Sequence, residues 1–225
     1  MDRVLASSVT ERALGRMIGA SAALAAVEMA RLVDGPLLLL ATDPRHADQL
    51  EAEARWLAGN DVEVIHFVEW ETLPYDSFSP HQDIVSQRLR VLASINGMQR
   101  GILIVSSPAL LQRLPPTGYV AARTLSLAAG QTLDRQAFID SLAECGYLRV
   151  PQVDEHGEFA VRGSLLDVFP MGSEQPLRID FFDDEVESLR TFDPETQLSG
   201  ETLQDIRILP AREVPLDQDG IRRFR

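Results

Sequence analysis

Residues 36–59, PLLLLATDPRHADQLEAEARWLAG, contain the pattern that decides the fold class. The first six residues form a short apolar run, typical of a strand that is buried on both faces of a sheet. Asp43 and Pro44 then supply a helix N-cap and a first-turn proline. Apolar residues recur at helical spacing after them, and Gly59 can end the helix. This stretch therefore predicts a buried strand followed by a capped helix.

The same alternation of strand and helix continues through the first half of the chain. Residues 62–68 and 101–106 have the composition of strands, and residues 82–96 between them have helical spacing and are followed by Gly97. A longer helix over residues 14–33 precedes the first strand. Alternating strands and helices form parallel sheets with right-handed crossovers, so we expect an α/β domain with a parallel sheet.

The second half of the chain has a different pattern. Asp134 can cap a short helix. Segments with the alternation of antiparallel strands follow at residues 158–161, 164–169, 177–182 and 185–192. Asp183 and Asp184 lie between the last two segments, where they suit a hairpin turn. These features predict a small α+β domain with an antiparallel sheet.

Together the two patterns predict an α/β fold class in which a parallel-sheet domain is interrupted by the small α+β domain. We place the first part of the larger domain at residues 1–122 and the small domain at residues 123–195. Residues 196–225 then return to the larger domain, with a strand near 206–209 and a last helix that is cut short. We therefore expect the chain to be part of a longer polypeptide.

Charge excludes several classes of function. The net charge is −13, and the 21 basic residues are all arginine, so the chain contains no lysine. Lysine-dependent phosphate loops and Schiff-base chemistry are excluded. Net negative charge also argues against tight binding of nucleic acid, which depends on the release of counterions by cationic side chains. Residues 151–225 are the more acidic part, with 17 acidic and 8 basic groups.

Cysteine and histidine content argues against a metal or disulfide scaffold. Cys145 is the only cysteine, and the four histidines are too scattered in the sequence for a metal motif. The longest strongly apolar run, at residues 36–41, is far shorter than the ~20 residues that span a bilayer. No charged and apolar leader opens the chain. We expect a cytoplasmic protein without a metal.

Residues 19–23, GASAA, lie before the first predicted strand, where a nucleotide-binding loop would be placed in some α/β proteins. A phosphate loop requires the pattern G-x-x-x-x-G-K-[ST], because glycine backbone amides, a lysine and a hydroxyl hold the phosphates and Mg²⁺. The second glycine, the lysine and the hydroxyl are all missing here. We therefore do not expect a functional ATP site or any other cofactor.

Two other segments have both a structural and a functional interpretation. Residues 70–81, WETLPYDSFSPH, either pack aromatic side chains over the edge of the sheet or form a lip for a ligand, and we favour packing. The acidic residues between 180 and 187 either line a solvated turn or surround a cation. Alternate residues of a strand point to opposite faces, which favours the solvated turn.

Arg162, Arg178 and Phe182 form the fourth candidate. Arg178 and Phe182 are four residues apart on one predicted strand and so share a face, while Arg162 lies at a turn between two other strands. Arginines and an exposed aromatic ring have the composition of a binding hot spot. The alternative, in which Phe182 is part of the core and the arginines balance nearby acids, is equally compatible with the sequence.

Several motifs, in order, resemble the N-terminal module of bacterial transcription-repair coupling factors, which is itself similar to the excision-repair helicase UvrB. The motifs are WETLPYD at 70–76, SPH at 79–81, HGEFAVRG at 156–163, LDVFP at 166–170 and RIDFFDDE at 178–185. The resemblance covers essentially the whole chain. It implies a degenerate helicase-like parallel-sheet domain interrupted by a small domain that binds UvrA, the damage-recognition ATPase.

The resemblance also implies what this chain lacks. UvrB has an intact phosphate loop, whereas here the matching stretch is Gly19 to Ala23 with Ala22 in the place of the lysine. UvrB also has a long aromatic hairpin after the loop that matches 75–80, whereas here a helix is predicted from Gln82 onwards. The full-length protein is implied to use ATP and Mg²⁺ to translocate on DNA and displace RNA polymerase, through domains outside this chain.

What remains is a non-catalytic role in recruiting UvrA. By similarity, the contacts with UvrA fall on Arg162, Arg178 and Phe182, with the two guanidinium groups binding carboxylates and the ring buried between them. The resemblance further implies that the rest of the full-length chain packs against this module and masks it. The alternative is a divergent ATPase or a DNA-binding domain of a helicase-like repair protein.

Overall fold

The computed structural model describes residues 15, 17–72 and 79–214 of the chain. By their contacts these residues form two compact units. Unit 1 consists of the described residues up to 69 together with 94–112, and unit 2 consists of 70–93 together with those from 113 onwards. The boundaries predicted after residues 122 and 195 differ from this division.

Unit 1 contains a three-stranded parallel sheet with two longer helices. The strand order is β1-β3-β2, and both neighbouring pairs are parallel, as predicted. Its strands are β1 (Pro36–Ala41), β2 (Val64–Phe67) and β3 (Gly101–Ser106). Its helices are α1 (Ser21–Leu32), α2 (Pro44–Ala58), a 3₁₀ turn (Ile95–Gly97) and the short α4 (Ser107–Leu110).

The predicted cap of α2 is confirmed. The Asp43 carboxylate accepts a hydrogen bond from the backbone N–H of His46 at 3.0 Å, and Pro44 occupies the first helical turn. Gly59 ends the helix with φ +57°, a conformation that costs a residue with a Cβ more than glycine. Buried alanines on α1 and α2 allow both helices to pack closely with Ile102 and Ile104 of the sheet.

Two expectations for unit 1 are wrong. Strand β1 is not buried on both faces, because Leu38 and Leu40 are 55% and 51% exposed. Among the described residues the first helix begins at Ser21, whereas the sequence pattern predicts a helix that includes residues 17 and 18. Gly19 has φ +59°, which is incompatible with an α-helix, and the Ser21 hydroxyl accepts a hydrogen bond from the N–H of Ile18 at 2.8 Å.

Unit 2 is built around a six-stranded sheet. The strand order is β10-β9-β8-β7-β6-β5, and every neighbouring pair is antiparallel except β5 with β6. The strands are β5 (Leu148–Arg149), β6 (Glu158–Arg162), β7 (Leu165–Val168), β8 (Leu177–Phe182), β9 (Glu185–Phe192) and β10 (Ser199–Leu203). This confirms the predicted antiparallel sheet, with β8 and β9 at the predicted residues.

A two-stranded antiparallel sheet and three helices complete unit 2. Strand β11 pairs with β4, and strands β10 and β11 place residues 199–208 with unit 2. The elements are α3 (Gln82–Ser94), α5 (Tyr119–Ala122), β4 (Leu125–Ala128), α6 (Arg135–Glu144) and β11 (Asp205–Ile208). The predicted cap of α6 is confirmed, since the Asp134 carboxylate accepts from the N–H of Ala137 at 2.9 Å.

The core of unit 2 lies on one face of the six-stranded sheet, where α3 and α6 pack. Leu89 of α3 and Leu142 of α6 are fully buried there. The Tyr147 hydroxyl donates to the carbonyl of Leu209 at 2.6 Å and accepts from the N–H of Met171, and burial raises its pKa. Within the described residues, no helix is long and apolar enough to cross a membrane.

Candidate functional site

The three candidate residues lie on or beside the face of the unit 2 sheet that is turned away from the main core. Along β8, Leu177, Ile179 and Phe181 are buried in the core, and the residues between them point to the opposite face. We call that opposite face the outer face. Arg178 and Phe182 therefore share a face, as predicted from their spacing.

Asp167 is the centre of the outer face. Its side chain is 1% exposed, and both of its oxygens bind arginine. Arg178 makes a bidentate pair with it, with Nε to Oδ1 at 2.7 Å and Nη2 to Oδ2 at 3.1 Å. Arg162 donates from Nη2 to the same Oδ2. A buried carboxylate that has two guanidinium partners is well compensated for its loss of hydration.

The guanidinium of Arg178 is bound by other groups of the same chain. Besides Asp167, its guanidinium donates to the backbone carbonyl of Gln197 at 3.0 Å and to the hydroxyl of Ser199 at 3.4 Å. It also lies over the ring of Phe192, with 4.6 Å from Cζ to the ring centroid. Its side chain is only 13% exposed. The guanidinium donors of Arg178, which we expected to bind a carboxylate of a partner, therefore bind groups of the same chain.

Arg162 is more accessible. It is the last residue of β6, its side chain is 42% exposed, and its Nη2 also donates to Oε1 of Gln197 at 3.0 Å. Its Nε and Nη1 have no hydrogen bond among those found for the described residues. Because the Asp167 carboxylate fixes one edge of the guanidinium, the remaining donors are held in a defined direction.

Phe182 is 68% exposed, so the part of the alternative that places it in the core is wrong. The other part, in which the arginines balance a nearby acid, is confirmed by their pairing with Asp167. It is the last residue of β8 and leads into the Asp183–Asp184 turn. The expectation that its ring lies between the two arginines is also wrong, because Asp167 occupies that position. Phe182 instead extends the outer face along β8, about 13 Å from Arg178 at the usual rise of a strand.

Other residues named in the sequence analysis lie in less reactive surroundings. Gly19 precedes α1, while Ala22 and Ala23 lie in its first turn. The Cys145 thiol is half-buried, and burial raises its pKa, which disfavours the reactive thiolate. Trp70, at the start of the 70–81 loop, donates from Nε1 to Glu213 at 3.1 Å. Residues 73–78 of that loop lie outside the described residues.

Sequence reasoning missed the two residues that organise the outer face, Asp167 and Gln197. The signal for Asp167 was a single carboxylate inside the apolar stretch LLDVF, since a buried charge requires a partner. Gln197 gave no such signal. It lies in a turn with φ +61°, and only the folded turn brings its amide to the two arginines.

The sequence analysis also missed a cluster of two carboxylates and one histidine in unit 1. Asp48, Glu51 and His66 place their ligand atoms within 4.8 Å of one another, and His66 Nδ1 lies 2.8 Å from a carboxylate oxygen of Glu51. The hydrogen bond with His66 lowers the pKa of Glu51, and Arg55 binds its other oxygen. These bonds account for the cluster as a helix-to-strand contact between α2 and β2.

Comparison with known proteins agrees with the resemblance in the motifs. Residues 125–214 match the family described as the UvrB interaction domain. A transcription-repair-coupling factor of Escherichia coli is 47% identical over 215 residues, which cover 96% of this chain and 19% of that protein. The one from Haemophilus influenzae is 42% identical over 212 residues, with coverage of 94% and 18%. The chain thus spans about a fifth of the length of these relatives.

Proposed function

We propose that this chain is a non-catalytic module that recruits UvrA. Its residues 125–214 match the UvrB interaction domain, and the chain is similar to the N-terminal region of bacterial transcription-repair-coupling factors. Recruitment takes place on the outer face of unit 2. Within a longer protein of that kind, the module would bring UvrA to sites where RNA polymerase has stalled. The translocation on DNA that uses ATP and Mg²⁺ would belong to other parts of that protein.

The observation that carries the proposal is the combination of Phe182 with Arg162 on one exposed end of the outer face. An aromatic ring that is two-thirds exposed contributes little to the core, and aromatic and arginine residues dominate the energy of protein interfaces. Arg162 keeps free donors in a direction fixed by Asp167. A partner with a carboxylate beside an apolar pocket would fit both side chains.

Arg178 has a different part in this proposal. Because its guanidinium is already bound by Asp167, Gln197 and Ser199, it positions the network that holds Arg162. It contributes to the surface mainly as the support of Arg162. The protein that this module belongs to would act in the cytoplasm, where stalled polymerase and UvrA meet.

The test is a titration of the purified chain against UvrA by calorimetry. We expect Arg162→Ala and Phe182→Ala each to weaken binding by about 2–4 kcal/mol, in the range of interface hot spots. Arg162→Lys should not restore binding, because an ammonium group cannot reproduce the geometry of the guanidinium fork. Arg207→Ala is the matched control, since Arg207 is an exposed arginine on β11, away from the outer face.

The outcomes separate the proposal from its alternatives. Loss of binding in both variants, with folding and the Arg207→Ala control unchanged, supports recruitment through the outer face. Native affinity in both variants would remove the outer face from the interface. If the wild-type chain itself does not bind UvrA, the proposed recruitment by this module fails.

A further inference from the structure

A cleft lies at the end of the unit 2 sheet nearest Phe182, on the side of the main core. Its volume is about 690 Å³. Its walls come from the start of α6, from β5 and β6, and from the turn between β8 and β9. The lining residues are Asp134, Arg135, Gln136, Ile139, Arg149, Val161, Asp183 and Asp184.

The charges of this cleft are only partly used by the fold. Asp134 is the cap of α6, and Arg135 donates to the backbone carbonyl of Gly163. In contrast, no ion pair or side-chain hydrogen bond is found within the described residues for Arg149, Asp183 or Asp184. The Nε of Arg135 is buried without a hydrogen-bond partner there as well. The cleft therefore offers two carboxylates and one guanidinium that the fold itself does not use.

The cleft is also built on fixed backbone. The N–H of Leu133 donates to the carbonyl of Asp184 at 2.8 Å, and Thr132 forms a bridge with Glu185. Asp183 has φ +53°, a turn conformation that holds its side chain at the tip of the hairpin. Because these contacts fix the backbone that carries the two carboxylates before any partner arrives, binding there would cost little ordering of the main chain.

The cleft and the outer face meet at two turns. Phe182 on the outer face directly precedes Asp183 and Asp184 in the cleft wall. Arg162 on the outer face directly precedes Gly163, whose carbonyl accepts a hydrogen bond from Arg135. A partner that covers Phe182 and Arg162 and continues around the end of the sheet would therefore enter the cleft.

We propose that the surface that binds UvrA continues from Phe182 into this cleft, where Asp183 and Asp184 bind a lysine or arginine side chain of UvrA. Arg149 on β5 binds a carboxylate of the same segment of UvrA. This inference rests on the proposed recruitment of UvrA. The cleft would add acidic contacts to a surface whose other contacts are arginine and phenylalanine. UvrA would therefore have to present basic and acidic side chains close to one another.

The experiment measures UvrA binding by the Asp183→Asn, Asp184→Asn double variant at several salt concentrations. Asparagine tolerates the positive φ of residue 183, so the fold should be unaffected. We expect binding about tenfold weaker at low salt, and a shallower dependence of the association rate on salt than in the wild type. Arg149→Gln should weaken binding in the same direction.

Two reference variants separate this inference from the proposed function. Glu144→Gln removes one negative charge from the exposed end of α6, outside the cleft, and should bind as the wild type does. Arg162→Ala reports on the outer face. If Arg162→Ala loses binding and the double variant keeps native affinity and salt dependence, the cleft proposal is overturned and recruitment stands. If the wild type does not bind UvrA, both are overturned.

Discussion

Asp167 shows how a single residue can decide what its neighbours are able to do. It is a carboxylate with 1% exposure on a short strand, and burial of such a group without partners would cost several kcal/mol. Arg178 compensates it through two hydrogen bonds and Arg162 through one. The two arginines, which look equivalent in the sequence, thus have different roles. Arg178 is buried and supports the network, whereas Arg162 is accessible to a partner.

This division predicts different results for the two arginines. Arg178→Ala should lower the free energy of unfolding of unit 2 by about 3 kcal/mol, because Asp167 would be left buried with one partner fewer. Arg162→Ala should cost clearly less, since Arg162 is half-exposed and Arg178 retains the bidentate pair. Urea denaturation followed by circular dichroism measures both values.

Arg190→Ala is the control for this pair. Arg190 is exposed on β9 directly opposite Arg178, and its loss should change stability by less than about 0.5 kcal/mol. Equal destabilisation by Arg178→Ala and Arg162→Ala would contradict the assignment of Arg178 as the support. Any loss of UvrA binding in Arg178→Ala should then be interpreted together with its stability.

At the residue scale, the sequence predicts which face a side chain occupies but not what it binds. The four-residue spacing of Arg178 and Phe182 fixed their common face, and the structure confirms it. The pairing with Asp167 depends on the register between β7 and β8, which places Asp167 opposite Arg178. Register is a long-range property, so the spacing of residues on one strand cannot supply it.

Among the helices and strands, α3 is the element whose packing differs most from what we expected. Its helical pattern and its start at Gln82 are as predicted, and we expected it to serve as a crossover helix of the parallel-sheet domain. Instead its apolar face, with Leu89 at the centre, packs in the core of unit 2. An amphipathic pattern specifies that a helix has an apolar face, and several partners can satisfy that requirement.

A buried ion pair fastens α3 in unit 2. Arg88 of α3 is fully buried and donates to both oxygens of Glu213, with Nε to Oε1 at 2.6 Å and Nη2 to Oε2 at 3.1 Å. Trp70 donates to the same carboxylate, and Arg88 lies 4.8 Å from the centroid of its ring. The pair therefore joins three stretches of chain that are distant in sequence.

We expect Glu213→Ala to destabilise unit 2 by about 3–5 kcal/mol, because it leaves the guanidinium of Arg88 buried without its carboxylate. Thermal and urea unfolding would measure the loss. Glu174→Ala is the matched control, since Glu174 pairs with Arg90 of the same helix at 3.7 Å and both side chains are largely exposed. That exposed pair should contribute less than about 1 kcal/mol. Similar effects of the two substitutions would show that burial of Arg88 has no energetic consequence.

At the scale of the whole molecule, the order of elements is more predictable than their assignment to units. The parallel strands, the capped helices and the antiparallel sheet follow from local periodicity and capping residues, and these were found at or near the expected positions. The units depend on which elements share a core. Strand β11, for example, pairs with β4, and a pairing between two such distant segments leaves little trace in the pattern of either segment.

The charge of the whole chain distinguishes recruitment of a protein from the alternative of a DNA-binding or ATP-binding domain. The net charge is −13 because 34 acidic groups outnumber the 21 arginines, and this excess of negative charge opposes binding to phosphates. We expect no shift of a fluorescent DNA duplex in anisotropy titrations at 50 mM salt, and no thermal stabilisation by ATP with Mg²⁺. A polyanion of comparable size, such as heparin, serves as the control for weak general attraction. Two results would favour the alternative: DNA binding that weakens steeply with added salt, or a rise in melting temperature with ATP. DNA binding and ATP binding both require cationic or phosphate-binding groups beyond those that the outer face supplies.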